Sequence, residues 1–412
     1  MSLYYPKISN IFIASQKLLK FCDITPLQKN IELGNRHGAN VYLKREDLGP
    51  VRSYKLRGAY NKMSSLYDSG KRSVVTCSAG NHAQGVAFSC NKLGISGDIF
   101  MPKITTKQKI DKVKQFGGSH INVFLEGANF DESFAISKKY ATEANKDFVH
   151  PFDDEKVIEG QGSVGVELFN QMNGKPIDYL FLPIGGGGLA SGVSSYIRHI
   201  SPFTQIIGVE PLGAPSMYES LKHGAVIKLD NIDTFVDGAS VKQVGALNFP
   251  ICKKNLDNMI LVDEGHVCSK ILQVYNECGY IIEPAGVLSL CALDLLSNDI
   301  KGKNIVSVIS GGNSDVFRMP EIMERSLVYE GLKHYFKVQF AQKAGSLKEF
   351  VMKILGPSDD IIYFRYTRII NKETGPAVIG IQVRSRDDVK RIIENMTIAG
   401  IEFKKLDNLS EE

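Results

Sequence analysis

Tyr179-Leu180-Phe181-Leu182-Pro183-Ile184 runs straight into Gly185-Gly186-Gly187-Gly188-Leu189, and a helical pattern follows over Ala190–Ile200. A short apolar run bounded by glycine predicts a buried strand. Four successive glycines remove every Cβ from the turn, so consecutive N–H groups can wrap a phosphate while the helix dipole favours its charge. A tight turn without a ligand is the plain alternative. The stretch also fits a dinucleotide fingerprint, because Gly185-x-Gly187-x-x-Ala190 precedes Glu210 by about twenty residues.

Outward from this stretch the same texture repeats. Asn40–Leu43, Ser73–Thr76, Asp98–Met101, Ile121–Phe124, Ile206–Glu210 and Ile305–Ile309 are β-rich and alternate with helical patterns. That alternation predicts an α/β architecture with more than one mostly parallel sheet. Ligands collect at the carboxyl ends of such strands, where several of these runs meet Gly, Ser and Asn.

Three of those ends carry chemistry. A Gly-Pro turn precedes Arg52-Ser53-Tyr54-Lys55-Leu56-Arg57-Gly58-Ala59, placing Lys55 at a helix start, where desolvation would make its amine nucleophilic. On local sequence alone an ordinary surface lysine, or a Ser53-x-Lys55 hydrolase dyad, stays open. Thr76-Cys77-Ser78-Ala79-Gly80-Asn81-His82-Ala83-Gln84-Gly85 turns a strand into a helix whose first amides, with Ser78 and Asn81, suit a carboxylate; a capped turn reads equally well. His82 is a candidate base or a structural histidine, and Cys77 a packed residue. Ile305–Ile309 ends in Ser310-Gly311-Gly312-Asn313, where a serine can meet a ring nitrogen without forcing a proton onto it.

After Arg325 the pattern changes. His334–Phe340 alternates as a half-buried strand. Ser346 and Glu349 read as a capping box ahead of Leu347, Phe350, Val351, Ile354 and Leu355 on one helix face. Strands are predicted over Ile361–Ile370 and Ala377–Val383, a helix through Val389, Ile392, Ile393 and Met396, and a last strand over Ile401–Leu406. The order βαββαβ is the ferredoxin-like plan.

Taken together, the chain resembles the fold-type II pyridoxal-phosphate enzymes, most closely the biosynthetic threonine dehydratases. Gly208-Val209-Glu210-Pro211, Asp237-Gly238-Ala239, Glu283-Pro284-Ala285-Gly286, Gly356-Pro357 and Glu373-Thr374-Gly375-Pro376 add to the match. The resemblance implies a tryptophan synthase β-like fold of two parallel-sheet domains followed by an ACT-like regulatory domain. It divides the chain into a large domain (1–54 and 151–325), a small domain (55–150) and a regulatory domain (330–412). It further implies that Lys55 carries pyridoxal 5'-phosphate, Tyr54 lies against the ring and Asn81 bonds the ring hydroxyl. Gly185, Gly186, Gly187, Gly188 and Leu189 would hold the phosphate, and Ser310 would meet the pyridine nitrogen. Ser78, Gly80, Asn81 and His82, the last through its backbone, would bind the substrate carboxylate.

The implied activity is deamination of L-threonine to 2-oxobutanoate and ammonia, with lesser action on L-serine, inhibited by isoleucine and opposed by valine, in a homotetramer. A serine racemase is the rival within the fold, but Ala79 stands where similar racemases place a proton-transferring serine. A nicotinamide enzyme is the rival from another cofactor class, and an amino-acid-binding regulator the rival among non-enzymes.

Bulk properties agree with small-molecule chemistry. The 412 residues allow two or three domains, and 49 Lys+Arg against 45 Asp+Glu leave a net charge of only +4, with no basic run for nucleic acid or membrane. The N-terminal Ile8, Ile11, Phe12, Leu18 and Leu19 fall at helical spacing rather than in a signal core, and no stretch reaches the roughly 18–20 apolar residues of a membrane span, which predicts a cytoplasmic protein. Seven scattered cysteines without a C-x-x-C pair predict reduced thiols and no zinc site.

Overall fold

The computed structural model describes residues 3–366 and 372–406. These divide into two compact units, Met1–Asp315 and Val316–Glu412. In the first, ten strands form two sheets: β1 (Leu27–Asn30), β2 (Asn40–Arg45), β3 (Ser73–Cys77), β4 (Ser96–Met101), β5 (Ile121–Leu125), β6 (Asp147–Phe148), β7 (Tyr179–Pro183), β8 (Gln205–Pro211), β9 (Asn258–Val262) and β10 (Asn304–Ile309). One sheet has the order β1-β2-β10-β7-β8-β9 and the other β5-β4-β3-β6. Every pairing is parallel except β1 with β2. The glycine turn, the Ser78–Asn81 turn and Ser310 follow β7, β3 and β10, so all three lie at carboxyl ends of strands.

The strands are near-continuous apolar runs because helices cover them, as parallel sheets require. Leu180, Leu182, Val306 and Val308 join Val193 and Ile197 in the core of the larger sheet. Val74, Ile99 and Met101 join Ala83, Val86 and Cys90 in that of the smaller. The N-terminal amphipathic pattern folds as the helix Ile8–Leu18, burying Ile11.

Glycines set how closely the helices of the first unit meet. A Cβ on Gly58 would lie 2.8 Å from the Val157 carbonyl, and one on Gly192 2.3 Å from that of Ile158. Helices Lys55–Asp68 and Gly188–Ile200 therefore both pack against Glu155–Met172 almost backbone to backbone. On Gly85 a Cβ would stand 3.1 Å from the Leu56 backbone, so the helices that begin at Lys55 and Asn81 also approach tightly.

In the second unit the helix Met319–Tyr329 precedes β11 (Lys333–Ala341), β12 (Asp360–Tyr366), β13 (Thr374–Gln382) and β14 (Phe403–Leu406). The sheet order is β12-β13-β11-β14, antiparallel throughout, with Phe336 opposite Ile379. Helices Ser346–Ile354 and Asp388–Ile398 lie between β11 and β12 and between β13 and β14, completing βαββαβ. Phe336, Phe350, Ile379, Ile392 and Met396 form the core.

Two expectations for this unit need correction. Ser346 and Glu349 do not form a capping box: the helix is entered through Gly345 in the left-handed region at φ 88° without a side-chain cap. Ser346 Oγ instead donates to the Ala341 carbonyl at 2.6 Å, and Glu349 accepts from Lys353. The apolar stripe is also narrower than its spacing suggests, since Phe350 and Ile354 are buried while Leu347 and Val351 are each 41% exposed. The strand expected over Ile361–Ile370 is seen to Tyr366, and residues 367–370 lie outside the described residues.

Among the described residues no helix is long and apolar enough to cross a membrane, and no group of His, Cys, Asp and Glu is arranged to hold a metal ion. All seven cysteines are thiols.

Candidate active site

Lys55 opens its helix with Tyr54 at the N-cap, after the segment 51–54 that follows Gly49 and Pro50. Its Nζ donates to the Pro151 carbonyl at 2.9 Å and lies 5.3 Å from the Tyr54 ring centroid and 5.9 Å from that of Phe152. Burial lowers its pKa to about 8, against a smaller opposing effect of Glu283. A desolvated lysine amine of this kind is what carbonyl addition requires. Ser53 gives no sign of a Ser–Lys dyad, because its buried Oγ has no hydrogen-bond partner.

An ionic network fixes the helix that carries Lys55. Arg57 Nε donates to Glu46 at 2.7 Å and Nη1 to Glu167 at 2.6 Å. Glu167 also receives the Lys44 ammonium at 2.5 Å, and Lys44 is fully buried. Two residues beyond Lys55, the Arg57 side chain is thus tied to the turn that follows β2 and to the helix Glu155–Met172.

The glycine turn is closed on one side and open to hydrogen bonding on the other. A Cβ on Gly186 would fall 2.3 Å from the Phe152 ring, one on Gly188 3.1 Å from Phe152, and one on Gly185 2.9 Å from the Ala239 carbonyl. Gly187 has φ 93°, which favours glycine. Asn248 Nδ2 braces the turn by donating to the Gly186 carbonyl at 2.9 Å. The first amides of the helix Gly188–Ile200 have no intrahelical acceptor and form a ready anion site. Leu189 contributes its backbone there while its side chain is buried in the core.

Asn81 begins the helix Asn81–Leu93. The preceding Ser78 Oγ accepts from the Gly80 amide at 3.2 Å, which holds Ser78, Ala79 and Gly80 in a compact turn. His82 points elsewhere: its Nε2 lies 3.0 Å from the Val149 carbonyl, and burial pulls its pKa down to about 3. It is a neutral structural histidine, so any part it takes in the site is through its backbone.

Ser310 is buried, and its carbonyl accepts from the Tyr54 amide at 3.1 Å. Ser53 bridges Gly311 in antiparallel fashion, so the turn after β10 and the segment leading to Lys55 are stitched together. Residues without an assigned role in the sequence complete the site. Glu283 Oε1 accepts from Asn81 Nδ2 at 2.7 Å, and Asn313 Nδ2 donates to Asn81 Oδ1 at 2.7 Å. Burial and then Asp237 push the Glu283 carboxyl up to about 7. Phe152 is held by His150, whose Nδ1 accepts from the Phe152 and Asp153 amides at 3.2 and 2.8 Å.

These residues fit pyridoxal phosphate: a desolvated amine, an anion-binding turn that excludes side chains, a neutral hydroxyl at a strand end and an aromatic face beside the amine. They fit a nicotinamide dinucleotide poorly. Glu210, which would have to bond a ribose, is wholly buried and accepts the Met217 and Tyr218 amides at 2.8 and 2.9 Å. It is spent on the helix Ser216–His223.

A family model described as pyridoxal-phosphate dependent enzyme matches residues 19–311, and one described as the C-terminal regulatory domain of threonine dehydratase matches residues 324–410. The chain is 51% identical over 401 residues to the biosynthetic L-threonine dehydratase of Halalkalibacterium halodurans, covering 97% of this chain and 96% of that protein. It is 49% identical over 391 residues to the enzyme of the same name from Bacillus subtilis, covering 95% and 92%. The processed form of threonine deaminase isoform 2 from Solanum lycopersicum superposes with a TM-score of 0.73 at 38% identity, over 79% of this chain and 97% of that one. Maize serine racemase superposes with a TM-score of 0.71 at 29% identity, over 79% and 99%.

Proposed function

The chain belongs to the pyridoxal-phosphate dependent enzymes and, within them, to the biosynthetic L-threonine dehydratases, and from that premise we propose that it converts L-threonine to 2-oxobutanoate and ammonia as the committed step toward isoleucine. The observation that carries this is Lys55 Nζ, desolvated beside Tyr54 and Phe152 and held on Pro151. When bound, pyridoxal phosphate supplies the electron sink that makes the Cα proton of an amino acid removable.

The chain's own residues do the rest. Lys55 holds the cofactor and then, as a free amine with its lowered pKa, takes the proton at Cα. Gly185, Gly186, Gly187, Gly188 and Leu189 would bind the phosphate through backbone amides, and Tyr54 would flank the ring. Asn81 would donate to the ring hydroxyl, and the neutral Ser310 would meet the ring nitrogen without forcing a proton onto it, a setting that would favour loss of the β-hydroxyl over transamination. Ser78, Gly80, Asn81 and the His82 backbone orient the substrate carboxylate. Ala79, in the same turn, has no transferable proton, so racemisation is disfavoured.

In this reading 1–54 with 151–325 and 55–150 are the two catalytic domains, each built around one sheet of the first unit. Residues 330–412 are the regulatory domain, where isoleucine inhibits and valine opposes it. The match of 324–410 to a threonine dehydratase regulatory model supports that role. The enzyme works as a cytoplasmic homotetramer. Purified protein supplied separately with L-threonine and L-serine tests the activity: 2-oxobutanoate should form faster than pyruvate, and absence of both products would overturn the proposal.

A further inference from the structure

Resting on that reading and deepening it, we propose that Glu283 and Asn313 are positioning residues that lock the side-chain amide of Asn81 in one orientation, with its NH2 end on Glu283 and its carbonyl on Asn313. The two ends of an asparagine amide are nearly the same shape, so its partners decide which way it faces. Here the partners are unambiguous. Glu283 Oε1 accepts from Asn81 Nδ2 at 2.7 Å, and Asn81 Oδ1 accepts from Asn313 Nδ2 at 2.7 Å. Asn313 Nδ2 also donates to the Val51 carbonyl at 2.8 Å, and its Oδ1 faces the Lys112 ammonium at 3.4 Å.

Hydrogen bonds therefore run in one direction from an ammonium, through two amides, to a carboxyl, an arrangement in which each bond polarises the next. Turning the Asn81 amide over would set its carbonyl against Glu283 and its NH2 against the NH2 of Asn313, losing both bonds. The second N–H of Asn81 is then the one left for the ring hydroxyl.

The space around the pair is reserved for it. A Cβ on Gly311 would lie 2.2 Å from Glu283 Oε1 and 3.2 Å from Asn81 Nδ2. Glu283 is buried at the N-cap of the helix Pro284–Leu295, yet its side chain does not cap that helix. It is aimed at Asn81 instead.

Glu283→Gln and Asn313→Asp test this with little change of shape. A glutamine offers Asn81 Nδ2 a weaker neutral oxygen or a competing NH2 in place of a carboxylate, and an aspartate at 313 presents an acceptor to the Asn81 carbonyl. Each variant should raise the dissociation constant of pyridoxal phosphate, read by fluorescence titration without substrate, by about 10- to 100-fold, as expected for losing a hydrogen bond to a charged group. In an Asn81→Ala background the same substitutions should change it by less than about twofold, because their effect runs through Asn81. Equal losses in both backgrounds, or no loss in the unaltered one, would overturn the proposal. Should either variant fail to fold, the cycle through the other decides. The titration involves no amino acid, so failure of the threonine assay and failure of this cycle are separate results.

Discussion

Gly160 stands directly against the backbone of Arg57: a Cβ built on it would lie 2.5 Å from the Arg57 carbonyl oxygen and 2.8 Å from Gly58 Cα. Backbone cannot yield as a flexible side chain can. Gly160→Ala should therefore push the helix of Lys55 off its neighbour, at a cost of about 1–3 kcal/mol in unfolding free energy, and weaken cofactor retention with it. Chemical denaturation and a cofactor titration measure the two together; an alanine variant matching the parent in both would show that the contact is not structural.

Glu167 answers two buried cations, Arg57 and Lys44. Removing it by Glu167→Ala leaves the buried Lys44 without a carboxylate partner and Arg57 with Glu46 alone, and should cost about 3–5 kcal/mol at neutral pH. Burial pushes the Glu167 carboxyl up, but Arg57 and then Lys44 outweigh burial and hold it below its ordinary 4.5. For a lowered carboxyl the stabilisation is complete above the unfolded value and is lost as pH falls through the folded one. Denaturation at neutral pH and again below 4.5 should therefore show the gap between parent and variant shrinking on the acid side. A gap that widens there would contradict the assignment.

Ala79 lies in the turn that should hold the substrate carboxylate. Ala79→Ser restores the hydroxyl that similar racemases carry, and chiral analysis after incubation with L-serine should detect D-serine that the parent does not make. Substantial D-serine from the parent would remove Ala79 as the reason for elimination.

The fold was legible because its strands are apolar runs cut off by glycine, serine or asparagine, and the chemistry follows those cuts. The glycine turn stood out for that reason, whereas Lys55, Asn81 and Ser310 drew their expected roles from the family resemblance, since locally they also read as a surface lysine, a capped turn and a plain strand end. Glu283, Asn313 and Phe152 could not be singled out, because their importance depends on which strand ends the fold brings together. Glu283-Pro284-Ala285-Gly286 contributed to the family resemblance without disclosing that its carboxyl reaches Asn81 across 202 residues of chain. Strands β1, β6 and β9 also escaped notice. Leu27–Asn30 is a four-residue edge strand with two exposed positions, Asp147–Phe148 has only two residues, and Asn258–Val262 ends its sheet with one buried position. The first two lack the apolar run on which sequence reading relies, whereas residues 259–262 form such a run and were legible in the sequence. At Ser346 the local signal was real, but the left-handed Gly345 took the entry to the helix.

The second unit should carry the response to isoleucine. An effector shifts activity only by binding one state more tightly, and a coupling of about 1–3 kcal/mol gives roughly a 5–150-fold change. A chain ended near Glu330 should keep turnover and lose inhibition by isoleucine. Equal inhibition of the full-length and shortened proteins would place the effector site outside residues 330–412.

The central claim rests on one amine. Borohydride reduction of the cofactor-loaded protein followed by peptide mass spectrometry should find the pyridoxyl group on Lys55, and Lys55→Ala should abolish both that label and turnover. A label on any other lysine, or normal turnover by the alanine variant, would contradict the account.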